Sequence, residues 1–255
     1  MDNNLLFDFK TDLSGINIPR RLNNPFGGYV PEVSKIAVRE FQAFIVSESQ
    51  KWADDFFSNN GKMFGILVVQ KKDHSYGYLG TVSGKLQEGA SCNKFVPSIF
   101  DDSVGDFFIH RGMAELTSIS HQIKNTDHSA TIVSLKEKRR NKSIALQQRL
   151  FENYRFLNLS GKAKNLLDVF KSYSTRTPPS AAGECAAPKL LQYAIKQQLK
   201  PIALTEFWWG APTPEKKHDV FYPACENRCR PILEYMLENK KLFIERKNII
   251  NEENI

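Results

Sequence analysis

The chain has 255 residues, of which 41% are hydrophobic and 11% aromatic, and its formal net charge is +7 at pH 7. This length and composition, without a low-complexity tract, exclude a mainly disordered protein and are enough for a buried core. No apolar run reaches the roughly 18 residues that a membrane helix needs, and the N-terminus lacks a signal-peptide pattern, so we expect a cytoplasmic protein with no membrane partner.

The N-terminal part of the chain predicts helices around one β-hairpin. Residues 1–31 contain three prolines and little periodicity, which is typical of an extended arm. Apolar residues at helical spacing predict a helix over residues 32–58, either continuous or broken near Ser47. The β-rich runs MFGILVVQ and YGYLGTVSG, joined by a polar turn at residues 71–75, predict an antiparallel hairpin. A shorter helix is expected over residues 111–123.

A basic block follows the hairpin region. Residues 134–176 carry 11 basic and three acidic side chains, a net charge of +8. Ser134 and Glu137 form a capping-box pattern, which predicts a helix from about Leu135 to Leu157. A cationic amphipathic helix is typical of a nucleic-acid contact, and equally of a solvated helix face. The candidate RNA-binding residues are the basic side chains Lys138, Arg139, Arg140, Lys142 and Arg149.

The C-terminal part predicts a compact module behind a linker. Residues 172–183 contain Pro178 and Pro179, and the segments after them predict a helix (185–199), a buried strand (202–209) and a second helix (231–239). The fold class expected is α+β or α/β, with a C-terminal helix-strand-helix module. The predicted divisions are an N-terminal α+β region (1–133), a basic helical segment (134–171), a linker (172–183), a cysteine-containing α/β module (184–240) and a polar tail (241–255).

The cysteines suggest a metal site. Four cysteines are too few for a secreted disulfide framework, so reduced thiols or thiolate ligands are expected. Two of them form a C-x3-C turn before the last helix, a third begins the preceding helix, and a histidine lies in the loop between. Thiolates with imidazole suit tetrahedral zinc, so the candidate ligands are Cys185, Cys225, Cys229 and His218. The alternative is that these residues are a small core side chain, free thiols and an ordinary loop histidine.

The same order of elements resembles the zinc-dependent nucleobase deaminases. Their signature pairs a helix-borne His or Cys with a later Pro-Cys-x-x-Cys, which here corresponds to Cys185 followed by residues 223–229. Two features depart from it: three residues separate the later cysteines, and Ala187 stands where the proton-carrying glutamate is expected. Without that carboxyl group a deaminase-like module would be inactive.

Four further side chains near the cysteines in sequence are candidates for the site. Glu184 and Glu206 flank the predicted helix and strand, although their spacing alone indicates no specific chemistry. Trp208 and Trp209 end the predicted strand, where they would either stack on a base or fill an ordinary core position. The common nucleotide-binding, hydrolase and zincin motifs are absent from the sequence.

Longer segments resemble one known family. AGECAAPKLLQYAIKQQLKPIALTEFWWGAP (182–212) and HDVFYPACENRCRPILEYML (218–237) resemble the N-terminal extension of long bacterial RluA-type pseudouridine synthases. MFGILVVQ, GYLGTVSGKL, FVPSIFD and RRNKSIALQQRLFENYRFLN resemble the same extension, so the similarity covers about residues 20–240. The resemblance implies work on structured RNA, ribosomal or transfer RNA being usual for these enzymes.

The catalytic part of that family has no counterpart in the sequence. Its H-R-L-D motif is missing, and the nearest strings, at residues 21–23 and 149–151, lack the aspartate. The resemblance therefore implies an accessory RNA-binding or substrate-positioning domain, with the synthase domain supplied separately or downstream and no cofactor needed for pseudouridine synthesis. The alternatives are a zinc-dependent deaminase-like hydrolase of a nucleobase, expected to be inactive, and a truncated remnant with only structural content.

Overall fold

The computed structural model describes residues 5–52, 56–86, 90–100, 107–173 and 177–238. These residues form a mixed α+β fold, which confirms the class expected from the sequence. In chain order the elements are β1 (Phe7–Asp8), α1 (Glu32–Ser49), α2 (Phe56–Asn59), β2 (Gly61–Gln70), β3 (Tyr76–Val82), α3 (Phe108–Lys124), α4 (Ser129–Asn153), β4 (Arg155–Leu157), β5 (Ala163–Asn165), α5 (Leu166–Tyr173), α6 (Ala186–Lys196), β6 (Lys200–Gly210), β7 (Val220–Tyr222) and α7 (Cys229–Leu237).

The chain divides into two compact units. Unit 1 comprises residues 1–98, 156–163 and 179–255, and unit 2 comprises residues 99–155 and 164–178. This division differs from the predicted one, because the N-terminal hairpin and the cysteine-bearing elements share unit 1. The predicted polar tail (241–255) lies outside the described residues. No helix in the described ranges is long and apolar enough to cross a lipid bilayer.

Unit 1 is built on a five-stranded sheet in the order β1-β3-β2-β6-β7, with antiparallel pairing throughout. The predicted hairpin is present as β2 and β3. In β2, Phe64, Ile66 and Val68 belong to a core that also contains residues of α1. The intervening residue Gly65 faces α6 instead. Because helices lie against both faces, β2 is a continuous apolar run and not an alternating one.

A glycine in β2 sets the position of α6. A Cβ atom on Gly65 would lie 2.7 Å from the Cβ atom of Ala186, closer than such atoms approach. The missing side chain lets the first turn of α6 lie directly on the strand. This contact fixes the start of α6, where Cys185 stands.

Unit 2 contains the helical hairpin of α3 and α4, which we call the basic hairpin (residues 108–153), together with α5. Gly112 allows the close approach of the two long helices, because a Cβ atom there would lie 2.6 Å from the side chain of Leu146. The helix α4 begins at Ser129, earlier than predicted, and its cap is His128, whose Nδ1 accepts a hydrogen bond from Thr131 N at 3.4 Å. The capping-box prediction is therefore wrong, since residues 134–137 lie inside the helix.

Candidate metal centre

Three cysteines of unit 1 meet at the starts of two helices. Cys185 is the N-cap residue of α6, Cys229 is the first residue of α7, and Cys225 lies in the turn before it. Their Sγ atoms all lie within 4.8 Å of one another, and those of Cys225 and Cys229 are 3.3 Å apart. A tetrahedral centre with metal–sulfur bonds of about 2.3 Å separates its sulfurs by about 3.8 Å. The spacing is therefore that of a group that could hold a metal ion.

The N-terminal arm holds the C-x3-C turn in place. Ala224 N donates a hydrogen bond to Pro25 O at 2.9 Å, and the guanidinium of Arg230 lies 4.0 Å from the centre of the Phe26 ring. Arg230 also forms an ion pair with Glu226 in the turn. These contacts hold the turn that carries Cys225 against the N-terminal arm.

The three thiols are electrostatically unequal. Hydrogen bonds from Cys185 and Cys229, together with the backbone N–H groups of Arg228 and Cys229, hold the pKa of Cys225 well below its usual value. The pKa of Cys185 is raised, chiefly by its hydrogen bond with Cys225 and also by burial. The hydrogen bonds with Cys185 and Cys225, together with burial, also raise the pKa of Cys229. A cation that binds thiolates would displace the protons of the group.

A buried carboxyl group lies against the first turn of α6, which follows Cys185. Glu206 on β6 is only 6% exposed, and its Oε1 accepts a hydrogen bond from Ala187 N at 3.2 Å. Burial is the largest cause of a pKa of about 7 for Glu206; the hydrogen bond from Ala187 N lowers that pKa, and the charge of Cys225 raises it. Ala187 stands where the deaminase signature has its glutamate, so the fold brings a different carboxyl group to that residue. Glu206 and Ala187 both line a cavity of about 30 Å³, large enough for a water-sized group.

His218, the predicted fourth ligand, is not brought to the sulfurs. Its Nδ1 accepts a hydrogen bond from Gly210 N at 3.0 Å, and its ring lies 4.3 Å from that of Trp209. The β6–β7 connection folds back on the end of β6, where Asp219 N donates to Trp208 O, and this directs the histidine away. Within the described ranges the metal-binding group consists of the three cysteines.

Trp208 and Trp209 both contact residues of the β6–β7 connection. Trp208 Nε1 donates a hydrogen bond to Ala211 O at 2.8 Å, and Trp209 packs on His218. Glu184, the other candidate carboxylate, lies 3.5 Å from the buried ammonium of Lys189 and accepts a hydrogen bond from Ser98. These contacts give the three residues structural partners, and base stacking by the tryptophans stays a prediction.

The basic residues of α4 fall into two groups. Three of the predicted RNA-binding residues contact α3: Arg139 donates to Ser120 Oγ at 2.8 Å, Lys142 lies 2.5 Å from Glu115, and Arg149 covers the ring of Phe108. Lys138 and Arg140 are exposed and make no hydrogen bond or ion pair within the described part of the chain. The same holds for Lys136, which the sequence analysis did not include among the RNA-binding candidates. Lys136 is one turn from Arg140 on α4.

The buried carboxyl group gives a pH-dependent prediction. In the metal-free protein, Glu206→Gln is expected to increase the free energy of unfolding by about 3 kcal/mol above pH 7, because the wild type must bury a charge there. Below the ordinary carboxyl pKa of 4.5 both states hold the proton and the difference vanishes; the wild type loses stability as pH rises from 4.5 through about 7. Urea unfolding at pH 5 and pH 8 measures this change. The exposed control Glu215→Gln should show no such pH dependence, and a pH-independent difference for Glu206→Gln would contradict the prediction.

Comparisons with protein-family models, curated proteins and solved structures find no match for this chain. The resemblance to the RluA-type extension therefore stays a prediction. The structure itself establishes two features on which a function can be built: a group of three cysteines able to hold a metal ion in unit 1, and the exposed basic hairpin of unit 2.

Proposed function

We propose that the chain is an RNA-binding accessory module that contacts structured RNA through the basic hairpin. The observation that supports this most is the exposure of α4. Among its 25 residues only Phe151 is buried, while six basic and two acidic side chains project from it. A helix of this length spans about 37 Å, long enough to follow several phosphates of a folded RNA.

The charge arrangement favours a polyanion over a small anion. Lys136, Lys138 and Arg140 are exposed and unpaired within the described residues, whereas the basic residues facing α3 hold the hairpin together. Each phosphate neutralised by such a side chain releases bound counterions, which drives association. The resemblance to the RluA-type extension adds the expected partner, ribosomal or transfer RNA, and a synthase domain in the same or a separate polypeptide.

In this proposal the three cysteines bind zinc, and the ion stabilises unit 1. A set of three thiolates suits zinc better than calcium or magnesium, which prefer oxygen ligands. Free thiols of this kind persist in a reducing compartment, which supports a cytoplasmic location. The ion then holds the starts of α6 and α7 together within unit 1.

The proposal is tested with purified protein and folded transfer RNA or ribosomal RNA fragments. We expect saturable binding that weakens as the salt concentration rises. A mobility-shift titration measures it, with a neutral polysaccharide as the comparison polymer. Affinity for RNA no greater than that for the polysaccharide would refute the proposed function.

The chain alone is expected to form no pseudouridine, because no aspartate occurs in the H-R-L-D context. Incubation with total RNA from a synthase-deficient strain, followed by mapping of pseudouridine, checks this. Any newly modified position would show that the chain contains a catalytic centre.

The alternative function is a zinc-dependent hydrolase of a nucleobase. Glu206 favours it, because this buried carboxyl group accepts a hydrogen bond from Ala187, two residues after Cys185. The water-sized cavity next to Glu206 supports the accessory module instead, since a base needs more room. Conversion of a free base or nucleoside by zinc-loaded protein, without RNA affinity, would favour the hydrolase.

A further inference from the structure

The basic hairpin has a groove between α3 and α4, which we call the hairpin groove. Its volume is about 290 Å³, and all the residues that line it belong to unit 2. Its charged lining residues are all exposed and carry a net charge of +2: Arg111, Lys142, Arg149 and Glu115. The remaining lining residues are apolar, so the groove offers both a positive charge and an apolar floor.

Arg149 is held flat in this groove. The carbon Cζ of its guanidinium lies 4.3 Å from the centre of the Phe108 ring, and Phe108 is only 7% exposed. A guanidinium is planar, so one face can rest on an aromatic ring while the other stacks on a further ring. RNA-binding proteins use such planes as platforms for unpaired bases. Because Phe108 already orients Arg149, little side-chain entropy is left to lose when a base stacks there.

The charges around the platform suit a nucleotide better than a simple anion. Lys142 lies 2.5 Å from Glu115, an ion pair that holds its ammonium at the groove. Lys138, one of the exposed cations proposed to contact phosphates, is one turn before Lys142 on α4 and extends the positive charge beyond the groove. An inorganic anion would use only these cations. A nucleotide would also cover the apolar floor with its base.

We propose that the hairpin groove binds one unpaired nucleotide of the RNA, with its base stacked on Arg149 and its phosphate toward Arg111 and Lys142. The inference rests on the proposed function, RNA binding by the basic hairpin. It narrows the partner to structured RNA that has a bulge or an internal loop beside a duplex segment. Bases inside a duplex cannot reach the platform, because both of their faces are stacked on neighbouring bases.

The test compares three end-labelled RNAs bound by the full wild-type chain. One is a continuous duplex, the second has a single bulged adenosine, and the third has an abasic nucleotide in the same bulge. The abasic bulge keeps the phosphate and the bend of the RNA and removes only the base. By fluorescence anisotropy we expect the adenosine bulge to bind about tenfold more tightly than the abasic bulge, as is typical of one stacked base.

A charge-conserving variant then tests the platform itself. Arg149→Lys keeps the positive charge and removes the plane, so the tenfold preference should fall to about one while the salt dependence stays unchanged. Arg139→Lys is the matched control. It makes the same replacement at another arginine of α4 that contacts α3, through Ser120, and that does not line the groove. This control should keep the preference for the adenosine bulge.

The outcomes separate the inference from the function on which it rests. Equal wild-type affinities for the adenosine and abasic bulges would overturn the inference and leave RNA binding in place; this comparison needs no variant. A preference that Arg149→Lys retains, or that both variants lose equally, would also overturn it. If all three RNAs bound no better than a neutral polysaccharide, the proposed function would be refuted, and the inference with it.

Discussion

Cys225→Ser is expected to remove most of the bound metal and to lower the melting temperature by roughly 8–16 °C. A ligand present at a thousand times its dissociation constant stabilises the folded state by about 4 kcal/mol. In a protein of this size each kcal/mol corresponds to about 2–4 °C. Serine cannot replace the most acidic thiol of the group, so the ion loses one of its three protein ligands.

Metal analysis and thermal unfolding, with and without a chelator, measure both effects. The wild type should hold close to one zinc ion per chain. Cys92→Ser is the matched control, because Cys92 is a half-buried thiol outside the three-cysteine group. If Cys225→Ser retained zinc, or unfolded at the same temperature as Cys92→Ser, the metal centre would be ruled out.

Replacing Lys136, Lys138 and Arg140 with glutamine is expected to flatten the salt dependence of RNA binding. Each lost phosphate contact reduces the slope of log affinity against log salt by about 0.7–0.9, so the triple variant should lose about 2–3. These three residues are the cleanest choice, because they make no hydrogen bond or ion pair within the described residues. Variants of Arg139, Lys142 or Arg149 would also remove contacts with α3 and so disturb the hairpin.

The matched control removes three positive charges from unit 1. Lys72, Lys196 and Lys200 are exposed lysines there, and their triple glutamine variant has the same net charge as the α4 variant. Titrations of one folded RNA at several salt concentrations compare the two. Equal slopes for the two variants would assign the charge of α4 to solvation of the helix.

Local patterns predicted the elements that carry the site. The hairpin β2–β3 follows from two β-rich runs and a polar turn, and the buried strand β6 from its apolar run. The start of α4 could not be predicted in this way, because its cap is a histidine, a residue outside the usual capping set. Ser134 and Glu137 match the capping-box pattern of a helix start, although they lie inside α4.

The sequence analysis did not predict the pairing of strands that are distant in the chain. The strand β6 pairs with β2, so that Glu206 lies opposite Gly65 and the predicted linker does not separate two domains. No local pattern specifies which distant strands pair, although the convergence of the cysteines was expected from the helix starts. The β6–β7 connection holds His218 against Gly210 and Trp209, away from the cysteines.

The most direct test of the central claim is ultraviolet crosslinking of the full chain to a bound folded RNA, followed by mass spectrometry of the crosslinked peptides. We expect crosslinks to concentrate in residues 129–153, on the side of α4 that carries Lys136 and Arg140, and to disappear in the α4 triple variant. Crosslinks confined to the peptides of unit 1, or unchanged in that variant, would contradict RNA binding by the basic hairpin.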